Sequence, residues 1–99
     1  MARFDVYKGP GGSGFVVDVQ SNVLSHIRTR VVVPLLPADG APPPARDLNP
    51  IFDILDVPHV LLPQAMGSMP ASLLRKAVSS LAMEHDRIVR AIDIVLSEY

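Results

Sequence analysis

The sequence predicts a mainly β protein that ends in one helix, its strands forming a single curled antiparallel sheet or small barrel. Three observations carry this reading. Short runs rich in Val, Ile, Leu and Phe recur from the N-terminus to about residue 70, separated by Gly, Pro, Asn and Asp. The strongest run, Val31-Val32-Val33, is β-branched throughout and then meets Pro34, which suits a strand that is covered in the middle and interrupted at its end. Only after about residue 80 does the apolar period change from strand to helix.

Taken in order, residues 2–8 alternate, with Phe4 and Val6 on one face and Arg3, Asp5 and Tyr7 on the other, which predicts a half-buried strand. Gly9-Pro10-Gly11-Gly12-Ser13-Gly14 follows. No lysine and Ser/Thr pair follows its last glycine, so it predicts a hairpin loop and not a phosphate loop. Phe15-Val16-Val17-Asp18-Val19-Gln20 predicts the second strand, ended by Ser21 and Asn22. Val23 and Leu24 are apolar residues in a connecting segment, either pinned to the core or left as part of a binding patch. Thr29 to Leu36 is the central strand, with Pro34 implying an edge or a bulge. Ala38 to Arg46, with Pro42-Pro43-Pro44, is a loop. Leu48 to Ile54 and Val57 to Leu62 predict a hairpin turning at Asp56, and Met66 to Pro70 a short extended piece. Leu81, His85, Ile88, Ile92 and Val95 share one helical face, widened by Val89 and Leu96. Asp86 stands four residues before Arg90 on the opposite face, and Ser79 or Ser80 is a candidate cap, which gives a helix from about 80 to 96.

Ninety-nine residues suit one domain, here 1–99, with a modest core. There is no cysteine, so neither a disulfide nor a thiolate metal site can add stability, and a second copy is the simplest remaining source. The chain is 48% hydrophobic and 19% charged, which excludes a disordered protein. Net charge is -1, near +1 over the first fifty residues and near -2 over the rest, with no basic footprint for nucleic acid legible in the order of the residues. No signal peptide or membrane span is read, and a cytoplasmic location is expected.

The chemistry-bearing residues are scattered. His26, His59 and His85 fall in a loop, a strand and a helix with no metal-ligand spacing, so no metal and no cofactor is expected. His26 beside Arg28 and Arg30 admits ribonuclease chemistry, with Asp18 or Asp39 as a nominal base, but spacing alone assembles no constellation. Asp53 and Asp56 flank the expected hairpin turn.

The ordered pieces Phe4-Asp5-Val6-Tyr7, Phe15-Val16-Val17-Asp18-Val19-Gln20-Ser21, Arg30-Val31-Val32-Val33-Pro34-Leu35, Leu48-Asn49-Pro50 and Met66-Gly67-Ser68-Met69-Pro70 resemble, nearly end to end, the CcdB toxins of type II toxin–antitoxin systems. The resemblance implies an SH3-like barrel of the CcdB/MazF type, a homodimer, and a non-enzymatic toxin that poisons the A subunit of DNA gyrase, a topoisomerase. It also implies a cognate antitoxin that neutralises the toxin and, with it, acts as a transcriptional repressor, so that operator DNA is met only indirectly. Carried over residue by residue, it gives Val23, Leu24, Asp93, Leu96, Ser97, Glu98 and Tyr99 as target-binding positions. The last three replace the tryptophan, glycine and isoleucine of the family's tip. Arg28, Arg30 and Arg46 are candidate exposed partners for an acidic antitoxin tail, and Met69 a candidate for the dimer interface. Two alternatives remain open: a CcdB fold that binds an antitoxin but has a changed or lost target, and a MazF-like endoribonuclease.

Overall fold

The computed structural model describes residues 2–10 and 14–97. Seven strands and one helix are present among them: β1 (Asp5–Lys8), β2 (Phe15–Asp18), β3 (Thr29–Pro37), β4 (Ile51–Ile54), β5 (Val57–Leu61), β6 (Gly67–Pro70), β7 (Ser79–Ser80) and α1 (His85–Leu96). All pairings are antiparallel, in the order β4-β5-β3-β2-β1-β7, with β6 also on β3. This is the mainly β, curled-sheet architecture with a C-terminal helix that the sequence predicts.

β3 organises the sheet. One flank pairs with β2 from Val32 to Leu35, while the other pairs first with β6, from Thr29 to Val32, and then with β5, from Leu35 to Pro37. Pro34 sits at the handover between β6 and β5, where a missing N–H breaks neither ladder. Its carbonyl is still used, accepting from the Leu62 N–H at 2.9 Å. The proline therefore marks a change of partner inside a central strand and not an edge. The β-branched run is explained by cover on both faces: Val33 and Leu35 enter the main core, and Val32 is buried on the opposite face.

The main core gathers Val6, Val17, Leu35, Ile54, Leu61 and Ile88, with Phe4 and Phe52 filling its ends. Phe4 is buried with φ +72, a conformation that stops β1 from starting before Asp5. Its ring meets His85 edge to face at 5.3 Å, and the Arg3 guanidinium lies 4.7 Å from its centroid. β4 and β5 turn through Leu55 and Asp56, both at positive φ, which is the two-residue type I′ geometry. The proline-rich loop before β4 is pinned by Asn49, whose carbonyl oxygen accepts from Ala45 N–H and whose amide donates to the Leu61 carbonyl and Gln64.

The helix begins later than its periodicity predicts. Ser79 and Ser80 pair with Val6 and Asp5, and Leu81 N–H donates to the Phe4 carbonyl, so this stretch closes the sheet and cannot start a helix. Ser80 Oγ accepts from Ala82 N–H in the short 3-10 turn that follows, while Glu84, at the head of α1, makes no side-chain cap. Ile88 and Ala91 are the helix's buried residues; Val95 and Leu96, expected on the same stripe, are exposed. The expected Asp86–Arg90 pair does not form. Arg90 instead reaches Asp47 at 3.4 Å, and Asp86 lies 3.0 Å from His85 Nδ1.

Candidate functional site

The face of the sheet turned away from α1 carries the polar chemistry. Along β2 and β3, Val17 and Val33 point into the main core, so Val16, Asp18, Arg30 and Val32 point to this outer face. Asp18 Oδ2 accepts from Arg30 Nε at 2.8 Å, and Arg30 Nη2 approaches the same oxygen at 2.7 Å without alignment as a hydrogen bond or any other partner. Both side chains are essentially inaccessible, at 0% and 1% exposure. Asp18 Oδ1 accepts from Gln20 N–H, and the Gln20 amide ties Val31 N–H to the Leu24 carbonyl. The cluster stitches β2, β3 and their connecting loop together. Tyr7, on the same face, has its phenol pushed above the ordinary value by burial first and then by the Asp5 and Asp18 carboxylates, with Arg30 opposing.

The segment Ala71–Val78 straps across this face. Ala71 N–H donates to the Arg28 carbonyl at one end and Val78 N–H to the Val6 carbonyl at the other. Between them Leu74 is the one buried residue, packed with Tyr7, Val16, Val32 and Met69. The next two residues, Arg75 and Lys76, are exposed. Beside the strap lies an open groove of about 390 Å³, lined among others by Pro10, Val16, Val32, Pro34, Leu36 and Met69, with no charged residue in its wall. Leu74 shares a cluster with Val16, Val32 and Met69, three of the residues that line the groove. Lys8 directly precedes Gly9 and Pro10 at one end.

The exposed charges are unevenly paired. Lys8, Arg28, Arg75 and Lys76 form no ion pair among the described residues. The paired acids Asp47, Glu84 and Asp86, and exposed Asp53, Asp56 and Asp93, lie on the β4–β5 hairpin, the loop before it and the helix. Arg75-Lys76 are the first charged residues after Asp56 in the sequence.

The other residues named from the sequence are dispersed. Val23 and Leu24 sit in an exposed 3-10 turn between β2 and β3, with Val23 81% accessible. Asp93 and Leu96 are exposed on α1 and Ser97 ends it, while Glu98 and Tyr99 lie outside the described residues. Arg28 and Arg46 are exposed as expected, but Arg30 is not, because Asp18 holds it inside. Asp18, held by Arg30 and inaccessible, is equally removed from the general-base role nominated for it, while His26 is exposed in the loop before β3. Met69 is half-buried on the outer face, opposite Arg30. His59 is buried, its Nδ1 on the Val57 carbonyl and its ring against Phe15. Among the described residues no group of three His, Cys, Asp or Glu side chains could hold a metal, and no helix is long and apolar enough to cross a membrane.

Residues 3–97 match the family model described as CcdB protein. The chain belongs to the CcdB protein family. No curated protein matches the sequence significantly. Among solved structures, the chain is similar to a Mycobacterium tuberculosis toxin, MazF-mt6, with 15% identity, a TM-score of 0.74, and coverage of 93% of this chain and 95% of the other. It is also similar to an endoribonuclease in complex with its cognate antitoxin from a mycobacterial species, with 16% identity, a TM-score of 0.77, and coverage of 97% and 94%.

These neighbours overturn the more specific expectation drawn from the CcdB resemblance. A DNA gyrase poison, with the gyrase A subunit as partner, was expected, together with topoisomerase inhibition, operon repression and no enzymatic activity. The solved proteins that share this fold over nearly its whole length are instead a MazF toxin and an endoribonuclease. The physical reason for the error is that the CcdB scaffold is common to both kinds of toxin. The landmarks that carried the resemblance are strand and core residues such as Val17, Val33 and Leu35, which fix the sheet and not the target. The tip that would carry a gyrase contact, Ser97-Glu98-Tyr99, matches the expected residues at no position.

Proposed function

We propose that the chain is the toxin of a type II toxin–antitoxin module, acting in the cytoplasm as an endoribonuclease and silenced by a cognate antitoxin. The observation that carries this reading is the near-complete superposition on an endoribonuclease solved with its antitoxin. Exposed cations that form no ion pair among the described residues support it, since they attract a polyanionic substrate.

His26 is the residue assigned to proton transfer. It is exposed, and it lies two residues before Arg28, whose charge would stabilise a phosphorane in formation. The other exposed histidine, His85, stands between Glu84 and Asp86 on the acidic side, where a phosphate is repelled. Arg28 and Arg46 remain as cations for an acidic antitoxin tail. The test is incubation of the purified chain with single-stranded RNA, with and without His26→Ala. Cleavage slowed about a hundredfold in the variant is expected. RNA left intact by the wild-type protein at molar excess would defeat the reading, and equal cleavage by both would remove His26 from it.

A further inference from the structure

We propose that the strap Ala71–Val78 is a processing site: a protease specific for basic residues hydrolyses it after Arg75 or Lys76, and the cut loosens the cover over the outer face of the sheet. The proposal depends on the strap alone and stands apart from the ribonuclease reading.

A protease takes its substrate as an extended stretch whose backbone is free, so exposed and weakly held connections are cut before strands and helices. The chain has nine Lys and Arg residues, and the fold withholds seven of them. Arg30 is buried, Arg87 and Arg90 lie in α1, and Lys8 is paired with Phe15 in β1. Arg28 leads directly into β3, and its carbonyl is taken by the Ala71 N–H. Arg3 is half-buried, its N–H on Asn22 and its Nε on the Val19 carbonyl. The Arg46 carbonyl accepts from Leu48 N–H in a tight turn, with Asp47 at φ +64. Arg75 and Lys76 are left. Both are exposed and outside any strand or helix, and among the described residues no backbone hydrogen bond reaches 75–77. In the reaction water adds across one amide, for instance leaving a carboxylate on Lys76 and an amino group on Ala77. Leu74 then stands beside a new chain end. It packs on Tyr7, and on Val32 and Met69, which lie opposite Asp18 and Arg30 on neighbouring strands, so its release opens the cover over that cluster. The C-terminal piece remains bound, because β7 pairs with β1, and Leu81, Ile88 and Ala91 sit in the main core.

The test is a time course of the folded full chain with dilute trypsin, read by intact mass. The first products should be the two pieces divided after Arg75 or Lys76, eluting together under native conditions. R75Q/K76Q should slow the first cut at least about tenfold without moving thermal melting, since both side chains are exposed. Leu74→Ala should speed the same cut about tenfold or more, because cleavage follows the population of the opened strap. The cut should also make Tyr7, 3% exposed in the intact fold, accessible to acrylamide quenching of tyrosine fluorescence. Tyr7→Phe supplies the background from Tyr99, the other tyrosine. A first cut after Arg28 or Arg46, or cuts at all basic sites together, would place the weak point elsewhere or in the unfolded chain and overturn the proposal. Unchanged quenching of Tyr7 after the strap is cut would overturn it too, since the cover would then hold without the strap.

Discussion

At the scale of single residues, the buried Asp18–Arg30 pair is the most exacting feature of the outer face. Removing one partner strands the other charge without solvent, so Asp18→Ala should cost about 3–5 kcal/mol in urea unfolding. The double variant Asp18→Leu/Arg30→Leu should recover much of that loss, since two apolar groups leave no orphaned charge. Tyr7 titrates against the same cluster. Its folded pKa is raised from 10.0, so the neutral phenol contributes stability that is whole below pH 10 and is lost as pH climbs through the raised value. A pH series of melts should fall on the alkaline side, and Tyr7→Phe should flatten that fall. The β4–β5 turn places Leu55 and Asp56 at φ +51 and +68, where a type I′ turn favours Asn-Gly. Leu55 is 60% exposed and gives up little packing on replacement. Leu55→Asn/Asp56→Gly should therefore raise stability by about 1 kcal/mol, or about 4–8 °C in Tm.

At the scale of elements, the strands were legible because each is short, apolar and bounded by turn residues. Val31-Val32-Val33 announced a strand covered on both faces, and Ile54 and Val57 bracket the turn at Leu55 and Asp56 closely enough to place the β4–β5 hairpin. What was hidden depended on contacts distant in sequence. Nothing near Arg30 in the chain marks it as buried; that follows only when Asp18, twelve residues earlier, lies across from it on the outer face. The late start of α1 was hidden for the same reason, because Ser79 and Ser80 are claimed by β1. The strap has no strand or helix period to read. Its hold on the sheet is one side chain and two end hydrogen bonds, which makes it the easiest part of the outer face to open. Leu74→Ala should cost about 2–4 kcal/mol. Hydrogen exchange should locate the loss, with protection of the Val78 amide falling before that of Val33 or Leu35.

At the scale of the molecule, the sheet leaves apolar surface outside. Val23, Leu24 and Ile27 stand exposed together in sequence between β2 and β3, and Leu96 is 70% accessible at the end of the helix. A homodimer is the expected use of this surface, and sedimentation at micromolar concentration should give twice 10.7 kDa, reduced to one chain by Val23→Asp/Leu24→Asp. A single-chain mass for the wild-type protein would exclude it. The closure of the sheet also has a consequence for biosynthesis. The opening strand β1 receives its second neighbour only when Ser79 and Ser80 arrive, about 75 residues later. At a translation rate of about 5–20 residues per second, that leaves the far edge of β1 bare for about 4–15 s on the ribosome. A partner already present in the cell thus meets the nascent chain with an open strand edge, several seconds before the strap is laid across the finished sheet.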